Sequence, residues 1–162
     1  MLCNIVFEKI TMKRTIVVLV LLAIAATAGA QVISPVFWAY SSKKIDARTY
    51  EVHLTANIQP GWHLYSQNQP ADAINVPTSI SFNKNPLVKL DGVTREIGKM
   101  EIYKDKKLGI SANQYRDKVE FVQMVKLKAG VKTNINGSLV YQTCDEKKCL
   151  PPKKENFKLA LN

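Results

Sequence analysis

The stretch Arg48-Thr49-Tyr50-Glu51-Val52-His53-Leu54-Thr55-Ala56-Asn57-Ile58-Gln59 decides the fold. Tyr50, Val52, Leu54, Ala56 and Ile58 fall on one side of an extended chain; Glu51, His53, Thr55, Asn57 and Gln59 fall on the other. A repeat of two is that of a β-strand with one buried and one wet face. His53 belongs to the wet set and reads as a solvated surface histidine rather than a ligand.

The same pattern recurs outward in short pieces. Pro60-Gly61 marks a turn, and Trp62-His63-Leu64-Tyr65 begins a second extended segment. Gln67 to Pro77 reads as loop. Thr78 to Phe82, Leu87 to Leu90 and Lys99 to Lys104 read as short strands, separated by Asn83 to Pro86 and by Asp91-Gly92. Val119 to Lys128 alternates and ends at Ala129-Gly130. Val131 to Gln142 alternates through Ile135, Leu139 and Tyr141, and Phe157, Leu159 and Leu161 mark a closing strand. Val36-Phe37-Trp38-Ala39-Tyr40 is a first strand or an arm laid on the others. Seven to nine short strands without sustained helical periodicity predict an all-β, antiparallel sandwich or barrel.

The first thirty residues read differently. Lys13 and Arg14 precede an apolar run from Ile16 to Ala26, and Ala28-Gly29-Ala30 is a small-x-small site. That order is a secretory signal peptide, with Met12 the expected initiator and cleavage after Ala30. Residues 1–30 are then leader and signal helix, and 31–162 one domain large enough to bury a core. The whole chain carries +10; removing Lys9, Lys13, Arg14 and Glu8 leaves about +8. Export argues against nucleic acid as the partner, and the scattered lysines read as solvated strand faces.

Cys3 lies in the leader, so Cys144 and Cys149 are the two cysteines of the exported domain. They sit in Tyr141-Gln142-Thr143-Cys144-Asp145-Glu146-Lys147-Lys148-Cys149-Leu150-Pro151-Pro152. A loop between two strands is expected to hold both thiols at a sheet end, near solvent. Disulfides persist outside the cytosol. A bridge over so short a loop constrains the unfolded chain by only about 2 kcal/mol, against about 4 for one spanning sixty residues. The spacing thus leans towards exchange chemistry and leaves a structural staple open. Lys147, Lys148, Lys153 and Lys154 favour a thiolate, while Asp145 and Glu146 oppose it, closer to Cys144. Cys149 is the better candidate for the lower pKa. A zinc site would need His53 and His63 to converge on the pair from opposite sides of a turn, and copper(I) would have the two thiolates alone. Neither is expected, and no cofactor is implied.

Three blocks carry a resemblance. Pro60-Gly61-Trp62-His63-Leu64-Tyr65, Gly98-Lys99-Met100-Glu101-Ile102-Tyr103-Lys104-Asp105, and Tyr141-Gln142-Thr143-Cys144 with Cys149-Leu150-Pro151-Pro152 resemble, in the same order along the chain and over most of residues 36–162, the N-terminal periplasmic domain of the thiol:disulfide interchange protein DsbD. The resemblance implies an immunoglobulin-like β-sandwich that passes reducing equivalents between thioredoxin-fold partners in the periplasm. It implies that Cys149 forms the mixed disulfide and Cys144 resolves it, with His63, Tyr65 and Tyr141 beside the pair. The family covers its pair with an acidic, aromatic cap; here that stretch reads Val93-Thr94-Arg95-Glu96-Ile97, which leaves Trp62 or Ile97 to shield and Glu96 to handle a proton. The membrane-embedded carrier and thioredoxin-like domain of that family have no counterpart here, so a stand-alone domain is expected to take electrons from a separate chain and reduce an exported disulfide-containing client. The competing readings are a non-catalytic immunoglobulin-like binding module with an inert disulfide, and a metal carrier.

Overall fold

The computed structural model describes residues 33–128 and 130–162. The expected leader, signal helix, Cys3 and Ala129 lie outside them. Nine strands follow in order: β1 (Val36–Lys44), β2 (Thr49–Ile58), β3 (His63–Tyr65), β4 (Ser79–Phe82), β5 (Val88–Asp105), β6 (Ile110–Leu127), β7 (Thr133–Tyr141), β8 (Thr143–Cys144) and β9 (Lys153–Leu161). No helix occurs among the described residues. Every strand pairing is antiparallel, and the strands form two sheets.

β6 is the axis of the larger sheet. Its C-terminal half pairs with β2, Phe121 opposite Leu54, and its N-terminal half pairs with β3, Tyr115 opposite Leu64. The other edge of β6 is taken by β5, from Val88 opposite Leu127 to Asp105 opposite Ile110. β1 extends this sheet beyond β2, and β8 extends it beyond β3. The smaller sheet is β4-β7-β9. Between the sheets lie Val52, Leu54, Val119, Phe121 and Val125 from the larger and Ile135, Leu139, Phe157 and Leu161 from the smaller, nearly all without solvent contact. Trp38 ties them, its ring 5.8 Å from Phe121 and 5.3 Å from Tyr141. This is the expected antiparallel, immunoglobulin-like sandwich, with apolar alternation buried between two sheets.

Three expectations change in detail. Leu87–Leu90 and Lys99–Lys104 are not separate strands but the two ends of β5. Asp91-Gly92 does not end it, because Gly92 takes φ 70° and the register shifts between Asp91 and Arg95, so the chain bends and resumes pairing. Val119–Lys128 covers only the second half of β6, which ends at Leu127. From Tyr115 to Val119 that strand spends four steps where β5, from Met100 to Gly98, spends two. Asp117 inside this irregularity has φ 62°, in the left-handed region. His53 is not freely solvated: Nδ1 lies 3.3 Å from Glu120 and Nε2 3.4 Å from Glu51.

Gly137 marks the tightest approach in the smaller sheet. A Cβ there would collide with the Ser81 carbonyl and the Phe157 ring. Gly137→Ala is therefore expected to cost about 1–3 kcal/mol by overpacking. Urea unfolding checks this as a lower midpoint at unchanged slope; an unshifted midpoint contradicts it.

Candidate functional site

The cysteine loop is built by a departure from the smaller sheet. β7 and β9 pair as a hairpin, Tyr141 opposite Lys153. The chain between them crosses to the larger sheet and adds β8 to β3, with Cys144 opposite His63 and Thr143 opposite Leu64. Gln142 fixes the crossing: its Oε1 accepts from the Val76 amide at 2.9 Å and its Nε2 donates to the Leu150 carbonyl at 3.3 Å. The Leu150 amide donates back to the Thr143 carbonyl at 2.9 Å. Asp145 Oδ1 accepts from the Lys147 and Lys148 amides, each at 2.7 Å, an Asx-type turn closed by a side chain. Cys144 and Cys149 are joined by a disulfide.

Cross-strand partners share a face, as do residues two apart. His63 and Tyr65 of β3, Cys144 of β8, Gln114 and Ala112 of β6, and Glu101 and Tyr103 of β5 are linked by these rules into one outer face of the sheet. Leu64 and Tyr115 point the other way, into the core. Arg116 closes the face: Nε donates to Glu101 at 3.1 Å and an Nη to Glu146 at 2.8 Å, tying the disulfide loop to β5 and β6. That ion pair holds the Glu146 carboxyl below its ordinary range. A cavity of about 150 Å³ lies between these side chains. Beside it an apolar cleft of about 230 Å³ runs along Ile74, Tyr103, Ile110 and Ala112 to Cys149.

The two sulfurs are not equivalent. Cys144 is 2% exposed, whereas Cys149 stands in solvent. The expectation of two thiols near solvent therefore holds for one of them; pairing of β8 with β3 draws the other under the sheet face. Tyr65 Oη donates to Cys144 Sγ at 3.1 Å and stays 4.0 Å from Cys149 Sγ. His63 Nε2 lies 3.3 Å from the same hydroxyl. Burial pushes the Tyr65 phenol above its usual pKa. Burial, and secondarily the Arg116 charge, pulls the His63 imidazole below its usual pKa, against Glu146, Asp145 and Glu101.

Of the residues expected around the pair, His63 and Tyr65 are in contact with it or with each other. Tyr141 is not: its ring packs on Trp38 in the core and its hydroxyl donates to Glu155 at 2.9 Å. Glu96 also lies apart. It faces Phe121 across the β5–β6 pairing and accepts from Ser66 Oγ at 2.7 Å, the Gln67 amide at 2.6 Å and Tyr115 Oη at 2.7 Å. Val93 and Ile97 are exposed strand residues and Trp62 packs on the core, so neither Trp62 nor Ile97 lines the cysteine cavity. Lys153 turns to Glu155 at 2.8 Å, which removes one of the four lysines from the pair's surroundings. No three His, Cys, Asp or Glu side chains group as a metal site among the described residues. Sequence reasoning missed Arg116, Gln114 and Tyr103. Tyr103 stood in a quoted block; the other two had no signal, because only the strand register brings them to Cys144.

An antiparallel sandwich with a short-loop cysteine pair on the outer face of one sheet is the class that fold and site define. The family described as "Thiol:disulfide interchange protein DsbD, N-terminal" matches residues 33–161, and the chain belongs to it. It is thus a thiol:disulfide interchange domain. Among solved structures it is similar to the reduced N-terminal domain of DsbD from Neisseria meningitidis, at 18% identity and TM-score 0.48, covering 72% of this chain and 86% of that one. The N-terminal periplasmic domain of ScsB from Proteus mirabilis is 20% identical at TM-score 0.48, over 75% of this chain and 44% of that one. The complex of the DsbD and PilB N-terminal domains from Neisseria meningitidis gives 15% identity and TM-score 0.49, covering 80% and 88%. None of the curated proteins compared with it matches.

The unequal burial has a direct chemical readout. In the reduced protein, brief alkylation with iodoacetamide is expected to label Cys149 several-fold faster than Cys144, because reactivity follows thiolate access. Peptide mass spectrometry reads the ratio; equal labelling of the folded protein contradicts it.

Proposed function

We propose that this domain works in the bacterial periplasm, after export through its N-terminal signal, passing reducing equivalents from a thioredoxin-fold dithiol on a separate chain to an exported disulfide-containing client. The single observation that carries this reading is the asymmetry of the pair: Cys149 open, Cys144 buried under a hydroxyl donor.

The chemistry follows from that asymmetry. A partner thiolate attacks the accessible sulfur, Cys149 Sγ. A partner–Cys149 disulfide forms as the Cys149–Cys144 bond breaks, and the electron pair leaves on Cys144 Sγ. Tyr65 Oη already points its proton at that sulfur, so the leaving thiolate emerges onto a hydrogen bond. The partner's second thiolate then attacks the partner's own sulfur in the mixed disulfide and expels Cys149 as a thiolate. The partner leaves oxidised; the domain keeps two electrons and takes up two protons. Client reduction is the reverse order: Cys149 attacks the client disulfide, and Cys144 attacks Cys149 Sγ to release the reduced client. The cleft beside Cys149, floored by Tyr103 and Ala112, leaves room for the residues flanking an incoming cysteine.

Three variants test the assignment. Cys149→Ser is expected to abolish turnover with a thioredoxin-fold dithiol, and Cys144→Ser to trap a mixed disulfide through Cys149, seen on non-reducing gels. Tyr65→Phe is expected to slow the first attack about tenfold, the worth of one hydrogen bond to a charged group. The reduction potential should lie above about −300 mV, the region where structural bridges end. A potential below it, with partner binding intact in Cys149→Ser, would instead establish the inert-disulfide binding module.

A further inference from the structure

His63 is one of two histidines in the chain and is 8% exposed. Its contacts fix its protonation at rest. Cys144 is in a disulfide and can only accept, so the Tyr65 hydroxyl proton stays on Oη and points at Cys144 Sγ. His63 Nε2 must then be the donor to Tyr65 Oη, 3.3 Å away. Nδ1 is buried with no partner. The result is a directed chain, Nε2–H to Oη–H to Sγ, ending at the sulfur that becomes a thiolate when Cys149 is attacked. A neutral histidine with a vacant, buried nitrogen is costly, and packing alone gives it no purpose.

We propose that His63 is the proton store for Cys144, acting through the Tyr65 hydroxyl as a positioning residue of the exchange reaction. This rests on the exchange function above. With the disulfide closed, His63 is neutral. When attack puts a negative charge on Cys144, a proton reaches Nδ1 by way of the cavity that His63 lines, and the imidazolium holds that charge through Tyr65. The proton stays on His63, so the reduced pair rests as a Cys144 thiolate held through Tyr65 against the imidazolium; oxidation removes the thiolate charge and returns that proton to solvent. The groups that set the balance are Arg116 of β6, which opposes protonation, Glu101 of β5 and Asp145 and Glu146 of the loop, which favour it, and the phenols of Tyr65 and Tyr103. Arg116 is held by Glu101 and Glu146, so the charge of the cluster is fixed and Cys144 is the variable member.

Imidazole nitrogen NMR of the whole protein tests this in both redox states, with His53 as internal reference. The His63 pKa is expected to be at least one unit higher in the reduced than in the oxidised protein, a tenfold change in proton affinity. Tyr65→Phe should remove most of the difference. The attack rate of a small dithiol, divided by its own thiolate fraction, should rise about tenfold as pH falls through the His63 titration. His63→Gln, which keeps a donor at similar reach but cannot titrate, should abolish that rise. A redox-independent His63 pKa, a difference untouched by Tyr65→Phe, or a pH rise surviving in His63→Gln each overturns the relay while leaving exchange standing. A protein that does not exchange with dithiols at all sinks both.

Discussion

The structure depends on one strand being asked to do two things. β6 runs eighteen residues through the middle of the larger sheet and is paired on both edges. Beyond Asp117 its inward side chains, Val119, Phe121 and Val125, close the sandwich core. Before Asp117 its outward side chains, Ala112, Gln114 and Arg116, floor the cysteine site. A residue in the left-handed region costs free energy at a non-glycine position, and here it lets one strand change its bend between the two tasks. The site is therefore rigid because it is part of the sheet, and it stays outside the core because it occupies the opposite face.

Placing the pair on a sheet face produces the inequality of the sulfurs. β8 is only two residues long, but pairing it with β3 pins Cys144 against His63 and beneath Tyr65. The turn closed by Asp145 then returns Cys149 to the surface. A disulfide attacked at its open end must expel the buried sulfur, and burial alone would disfavour a thiolate there. In the proposed exchange the Tyr65 donor would offset that cost at the atom where charge develops. The electrostatics around it are largely cancelled in advance: of the two carboxylates that follow Cys144 in sequence, Glu146 is paired with Arg116, which Glu101 shares, and Asp145 accepts from the amides of its own turn.

The parts of this arrangement that could be read from residues are those governed by local rules. β2 shows its buried face plainly, because five apolar side chains alternate without a break and all five are buried. The cysteine pair shows itself through spacing and the three quoted blocks. What sequence hid is whatever the register decides. β5 contains a glycine that looks like a terminator and is a bend. The first half of β6 has polar outward residues because they serve the site, so its alternation carries no apolar signal. Glu96 stands close in sequence to the Gly98–Asp105 block, yet its pairing opposite Phe121 turns it towards Tyr115 and Ser66. Arg116 and Cys144 are neighbours only through two strand pairings, which no short motif records.

An exchange domain must be folded in both of its redox states, and that sets a limit on how much its disulfide can contribute. Closing so short a loop is worth about 2 kcal/mol in the chain-entropy model, whereas the apolar core of Leu54, Phe121, Leu139 and their neighbours makes no use of the pair. The loop itself is held by bonds that do not pass through sulfur: Gln142 to Val76 and Leu150, Leu150 to Thr143, Asp145 to its own turn, and Glu146 to Arg116. None of these contacts requires the bridge, so they are available to hold Cys144 under Tyr65 when it opens. Reclosure is then an intramolecular step between sulfurs already in place, which gains from positioning what a free dithiol loses in entropy. The disulfide therefore carries only a small share of the fold's stability, and opening it leaves the core and the loop's other contacts in place.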